Sequence, residues 1–224
     1  MADEVRKEPN QRALAASEAR TRILTAAAEC IVRDGLANVR MAGIARTAGV
    51  SAGLLHYHFD TKEQLFADVL TYSHEVSGVL NQQALRRAGD GPAQRLSCFL
   101  DRCLPSDKRL ADEWLLWQEL ALLCIRQPEL AKVGAELYED FYSTVAAIII
   151  EGIAAGVFAP AIDSRKVAET AVALCDGLGA RVVANDPHLA LDEARATIAA
   201  TVGVLVGHDG PLPRPTHLMA GSHS

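Results

Sequence analysis

Residues 40–66 read RMAGIARTAGVSAGLLHYHFDTKEQLF. Two short helical segments meet here around Gly49-Val50. The first, Arg40 to Ala48, places Met41, Ile44 and Ala45 on one face, at the three- and four-residue spacing of a helix. The second, Ser51 to Phe59, turns Leu55, His58 and Phe59 inward. Two helices of this length joined by a tight glycine turn make the pattern of a helix-turn-helix. Ser51 is placed to cap the second helix through its hydroxyl, or to give that hydroxyl to a phosphate. Ala52 and Gly53 carry almost no side chain, so the start of this helix can approach base edges in a wide groove. His56 and Tyr57 face outward, and His58 and Lys62 lie where the next helix begins. Thr61 and Gln64 have the spacing of a capping box at that point. His56 and His58 are a poor metal pair, because residues two apart point to different helix faces.

Outward from this stretch the pattern stays helical. Before it, Ile23, Leu24, Ala27, Cys30 and Ile31 recur at helical spacing and Gly35 closes the run. After it come a long helix from Thr61 and further helices near 92–104, 108–127, 129–156, 163–185 and 189–207. Pro92, Pro105, Pro128, Pro160 and Pro187 punctuate them. No stretch alternates as a sheet strand would. Residues 1–17 lack an apolar period and are expected to form a flexible arm. Residues 208–224, rich in Pro and Gly, are expected to form a disordered tail, whose His208, His217 and His223 are too widely spaced for a metal site. The expected fold class is all-α: a three-helix head over 18–65 and a larger helical body over 66–207, about nine helices in all.

Composition agrees. Of 224 residues half are apolar and only 5% aromatic, which favours closely packed helices over a β-sandwich. No apolar run is long enough for a membrane span. The charged N-terminus lacks the apolar core of a secretory signal, so a cytoplasmic location is expected. Cys30, Cys98, Cys103, Cys124 and Cys175 show no CxxC spacing and read as free thiols, with Cys98 and Cys103 the only pair close in sequence. The net charge of −6 is unevenly spread: residues 1–62 hold nine Lys/Arg against seven Asp/Glu, and the remainder thirteen against twenty-one. A polyanion would be met by the N-terminal part and repelled by the rest.

The run ILTAAAECIVRDGLANVRMAGIARTAGVSAGLLHYHFDTKEQLFADVL resembles the DNA-binding domain of the TetR family of bacterial transcriptional regulators. Ile44-Ala45, Ala48-Gly49-Val50-Ser51, Gly53, Leu55, Tyr57, His58-Phe59, Lys62-Glu63 and Leu65-Phe66 carry the likeness over about fifty residues. His56 stands where the family often has tyrosine, Val39-Arg40 replaces a frequent Thr-Thr, and Gly43 replaces a common acidic residue. The resemblance implies base contacts near Ala52, Gly53 and His56, and phosphate contacts from Ser51, Tyr57, His58 and Lys62. Arg40 and Arg46 are further phosphate candidates, and Arg20 and Arg22 candidates for backbone or minor-groove contacts.

Beyond residue 80, EWLLWQEL, RQPEL, LYEDFYSTVAAIIIEGIAAGVF and ALCDGLGARVV are similar to the ligand-binding body of the BetI-like branch. The implied partners are a double-stranded palindromic operator, a small-molecule effector and a second copy of the chain, bound through the helices near 163–185 and 189–207. Glu113, Trp114, Trp117, Cys124, Tyr138, Phe141, Tyr142 and Asp176 are the candidate effector residues. Trp114 and Trp117, one turn apart with Glu113 and Asp176 nearby, could hold a cation by ring faces and charge. The implied function is a one-component regulator, most often a repressor, needing no cofactor or metal. An enzyme is disfavoured: no G-x-S-x-G, H-E-x-x-H, P-loop or dinucleotide motif occurs, and the adjacent carboxylates Asp112-Glu113 and Glu139-Asp140 diverge on their helices. A helical ligand-binding or interaction protein without operator binding is the alternative reading.

Overall fold

The computed structural model describes residues 7–89 and 91–215. Among them are nine helices: α1 (Lys7–Asp34), α2 (Met41–Ala48), α3 (Ala52–His58), α4 (Lys62–Arg87), α5 (Pro92–Arg102), α6 (Lys108–Arg126), α7 (Pro128–Ala154), α8 (Ser164–Val183) and α9 (Leu191–Leu205). No strand occurs among the described residues. No helix there is long and apolar enough to cross a membrane. The chain divides into two compact units, the first reaching to His74 and including Leu116–Val133, the second comprising Glu75–Leu115 and the chain from Gly134 onward. Helices α4, α6 and α7 each give one stretch to either unit.

In the first unit α1 supplies Ile23, Leu24, Ala27, Cys30 and Ile31 to the core, all essentially solvent-free. Gly35 ends α1 with φ +74, a left-handed conformation that suits glycine. Ile44, Ala45 and Ala48 of α2, and Leu55 and Phe59 around α3, are buried with them. Met41, expected inside, is only half-buried. Burying a Leu or Phe side chain contributes about 1.5–3 kcal/mol. Leu55 and Phe59, both 0% exposed, therefore fix the tilt of the short α3, which seven residues alone would not keep helical in water. Gly49, at φ +65, turns the chain between α2 and α3, its N–H bonded back to Arg46 O.

The start of α4 bears out the cap and refines it. Thr61 Oγ1 accepts from Gln64 N–H at 3.1 Å, but the Gln64 side chain returns to Asp60 N–H at 3.2 Å, one residue before the expected partner.

In the second unit Leu96, Phe99 and Leu100 of α5, Val145, Ile148 and Ile149 of α7, Ala168, Ala171, Val172 and Cys175 of α8, and Ile198 and Val202 of α9 form one core. Phe158, in the turn after α7, inserts against Gly152, where a Cβ would come within 2.1 Å of the ring. Nothing larger than glycine fits there.

Both ends of the chain differ from expectation. The residues from Lys7 to Ser17, read as part of an arm, extend α1 instead. Leu14, Ala15 and Ser17 are exposed there and Ala16 half-buried, so the missing apolar period does not require a broken helix. Residues 208–215, read as tail, are fixed in place: Leu212 N–H bonds Ala199 O at 3.0 Å and Leu212 is 4% exposed. Pro211, Pro213 and Pro215 make this a stiff strap, which a proline count alone reads as disorder. Residues 1–6 of the expected arm, and 216–224 with His217 and His223, lie outside the described residues.

Candidate nucleic-acid interface and effector site

Helix α3 presents its candidate residues outward. Ser51 is its N-cap, and its Oγ accepts from Leu54 N–H at 3.1 Å. The hydroxyl hydrogen stays available for an outside acceptor. Ala52, Gly53 and His56 are exposed, and Tyr57 is 78% exposed, unusual for an aromatic ring. Gly53 is instructive. A Cβ added there meets only Ser51 Oγ, at 3.9 Å, so no contact within the chain demands glycine. Glycine within a helix costs roughly 0.5–1 kcal/mol relative to alanine, and the fold gains nothing in return.

The basic candidates divide into two sets. Arg22, Arg40 and Arg46 are exposed on α1, at the N-cap of α2 and in its last turn. Arg20 is engaged within the head: it pairs with Asp68 at 2.7 Å and stacks over the Phe59 ring at 5.5 Å. Lys62 reaches Leu36 O at 3.5 Å with its ammonium 5.2 Å from the Phe66 ring centre. His58 is half-buried, edge-on to Tyr57 at 5.3 Å, and its Nε2 is buried without a hydrogen bond. The outward group is thus Arg22, Arg40, Arg46, Ser51, Ala52, Gly53, His56 and Tyr57, and Arg20, His58 and Lys62 are turned mainly to the head itself.

The effector candidates separate similarly. Glu113 accepts from Arg109 Nη1 at 2.8 Å and from the Ser77 hydroxyl. The Trp114 indole donates to Cys103 O at 3.2 Å and lies against Gly179 of α8, where a Cβ would come within 2.7 Å of it. The Trp114 ring is thus packed against α8 with its N–H already engaged. Trp117 stands edge-on to His74 at 6.1 Å, and Trp117 and Cys124 belong to the first unit. Phe141 packs against Phe99 in the core of the second unit.

Tyr138, Tyr142 and Asp176 do come together. The Tyr138 hydroxyl donates to Asp176 Oδ2 at 3.0 Å, and the two tyrosine rings stack at 5.9 Å. Burial pushes the Asp176 carboxyl above its ordinary value of 3.8, and only the Tyr138 hydrogen bond pulls it back. Among the described residues no arginine or lysine pairs with it. Burial also raises the Tyr142 hydroxyl, with Asp176 and Glu169 adding to the effect. Arg165 sits 4.9 Å from the Tyr142 ring centre but is paired with Glu139 and Glu169.

Sequence reasoning missed one group. Arg102 Nε donates to Asn81 Oδ1 at 2.5 Å, but its Nη2 is buried with no partner. Burial and the neighbouring Arg109 lower its pKa, and Glu113 partly offsets them. A lone arginine inside SCFLDRC was the available signal. Among the described residues, no three His, Cys, Asp or Glu side chains converge as metal ligands.

Residues 23–69 match the family described as bacterial regulatory proteins, tetR family, and residues 92–207 match the C-terminal part of BetI-type transcriptional repressors. The HTH-type transcriptional regulator BetI of Rhizobium meliloti (strain 1021) is 27% identical over 203 residues, spanning 88% of this chain and 94% of the relative. A TetR-family transcriptional regulator from Rhodococcus sp. superposes with a TM-score of 0.75 at 27% identity, over 85% of this chain and 99% of that one. A transcriptional regulator from Saccharomonospora viridis, solved in complex with choline, gives a TM-score of 0.75 at 29% identity over 87% and 98% of the two chains.

Proposed function

Because the chain belongs to the TetR family of bacterial regulatory proteins, with a BetI-type C-terminal part, we propose that it is a repressor that binds a palindromic operator as a homodimer and releases it on binding a small cation. The observation that carries the DNA half of this reading is the bare, outward α3, with Gly53 unclaimed by the fold and Tyr57 78% exposed. In this reading Ala52, Gly53 and His56 meet base edges, and Ser51, Tyr57, Arg40 and Arg46 meet phosphates. Arg22 adds a phosphate contact from α1. Arg20, His58 and Lys62 act mainly by bracing the head.

Two half-sites require two heads. Support for the dimer comes from α8 and α9, which present exposed small residues along one side: Ala173, Gly177 and Ala180 on α8, Ala184 at its C-cap, and Thr197 and Ala200 on α9. Val204 of α9, 79% exposed, adds an apolar group to that side. Small side chains let helices of two copies approach closely.

The cationic effector rests on Asp176. A half-buried carboxylate without a cationic partner is costly, and a ligand ammonium would neutralise it while the Tyr138 and Tyr142 rings flank it. The choline-bound relative points to the same chemistry. An effector of this kind shifts the equilibrium only by the difference between its affinities for the two arrangements of the heads.

Operator selection from random duplexes tests the first half. A palindromic site, whose affinity falls steeply with salt and collapses in the double variant His56→Ala, Tyr57→Ala, is expected. Titration calorimetry with choline tests the second half, and Asp176→Asn should lose the binding.

A further inference from the structure

A cavity of about 350 Å³ lies between α5, α9 and the strap that follows α9. This is the size of an ordinary small-molecule site. Leu100, Leu104, Ile198 and Leu212 make much of its surface apolar. Its wall carries a buried ion pair: Asp101, 3% exposed, accepts from Arg195 Nε at 2.6 Å. Arg195 Nη1 bonds Asp192 at 2.9 Å, and neither carboxylate engages Nη2. The strap adds Arg214, whose backbone carbonyl is held by Gln94 Nε2 at 2.9 Å and whose exposed side chain forms no ion pair among the described residues. Asp101 is thus already answered by Arg195, Asp192 is largely in solvent at the rim with 90% of its side chain exposed, and the unspent donors are those of the two arginines.

We propose that this cavity is a second ligand site, which takes a small amphipathic carboxylate. The alkyl or aryl part would lie against Leu100, Leu104, Ile198 and Leu212, and the carboxylate would accept from Arg195 Nη2 and the Arg214 guanidinium. The site is separate from Asp176 on α8. It also leaves the proposed dimer face of α9 free. Asp192, Arg195 and Ala199 run along the cavity side, and the exposed Glu193, Thr197, Ala200 and Val204 lie roughly 140° further round the helix.

Titration calorimetry with octanoate on the full chain tests this. Binding of octanoate, with octyltrimethylammonium much weaker, is expected. Arg214→Glu, a change at the exposed rim, should weaken octanoate roughly tenfold. Ala199→Phe, which fills the cavity, should abolish it. Asp176→Asn should leave it unchanged, so failure here is distinguishable from failure of the cationic-effector reading. No octanoate binding to the unmodified chain would overturn the proposal. So would equal binding of the two probes, loss of octanoate in Asp176→Asn, or wild-type affinity in Arg214→Glu; the last decides the matter should Ala199→Phe fail to fold.

Discussion

Glu119 on α6 accepts a hydrogen bond of 3.1 Å from the backbone N–H of Leu36, 83 residues earlier in the chain. Leu36 lies in the turn between α1 and α2, and its carbonyl receives Lys62 Nζ at 3.5 Å. Both peptide groups of this turn residue are therefore held by side chains from distant helices. The second half of α6 belongs to the same compact unit as the helix-turn-helix, so the entrance to α2 is latched by a helix that also extends into the other unit.

Removing the latch should loosen the turn first. Glu119→Ala leaves a part-buried N–H unsatisfied, a cost of about 1–3 kcal/mol. Glu119→Gln keeps an acceptor and should stay close to the unmodified chain. Hydrogen exchange at the Leu36 amide is the readout. Acceleration in the alanine variant and little change in the glutamine variant is expected, and unchanged exchange in both would show that the bond does not hold the turn.

Gly53→Ala should separate folding from operator binding. Added to open space, the methyl group stabilises the fold by up to roughly 0.5–1 kcal/mol. The same methyl group stands where a base edge is proposed to approach, so operator affinity should fall. Thermal melts and fluorescence anisotropy with the selected operator read the two effects, and a gain in both would remove α3 from the groove.

Two glycines two residues apart on α8 should behave oppositely. At Gly179 an added Cβ meets the Trp114 indole at 2.7 Å, whereas at Gly177 it meets nothing within 4 Å. Gly179→Ala should destabilise by roughly 1–3 kcal/mol through overpacking. Gly177→Leu should leave the monomer fold intact but weaken the proposed dimer, visible in sedimentation as a raised dissociation constant.

Asp176 gives a pH signature of definite sign. Its folded pKa is raised by burial, so the folded chain holds this proton more tightly than the unfolded chain. Stability from this group is greatest at low pH and declines as pH rises from the ordinary 3.8 through the raised value. Asp176→Asn should therefore raise the melting temperature at neutral pH and flatten this part of the profile, while losing choline binding. Choline affinity of the unmodified chain should weaken on acidification through the same window, because protonation removes the charge the ligand meets. A melting temperature lowered by the substitution would contradict the cost assigned to this carboxylate.

Much of the fold was legible in residues 40–66 and in the proline punctuation, because helix starts, stops and apolar faces are local properties. The Gly49 turn, the Ser51 cap and the inward Leu55 and Phe59 needed only spacing and side-chain chemistry. The outward face of α3 was legible for the same reason. What the effector candidates touch was not, since Trp114 and Trp117 are one turn apart in sequence but take unrelated partners, Gly179 and His74.

By itself the sequence determined an all-helical chain, its helix boundaries to within a few residues at most ends, and the short helix opened by Ser51. Tertiary structure decided which polar groups are spent and which are free. Arg20 is answered by Asp68 and Lys62 leans on Leu36, whereas among the described residues the half-buried Asp176 has no opposite charge and Arg102 Nη2 is buried without an acceptor. It also decided that the proline-rich residues after α9 form a strap over a cavity. The reason is physical: helical periodicity is set by neighbours three and four residues away, whereas desolvation and charge pairing depend on groups up to a hundred residues distant.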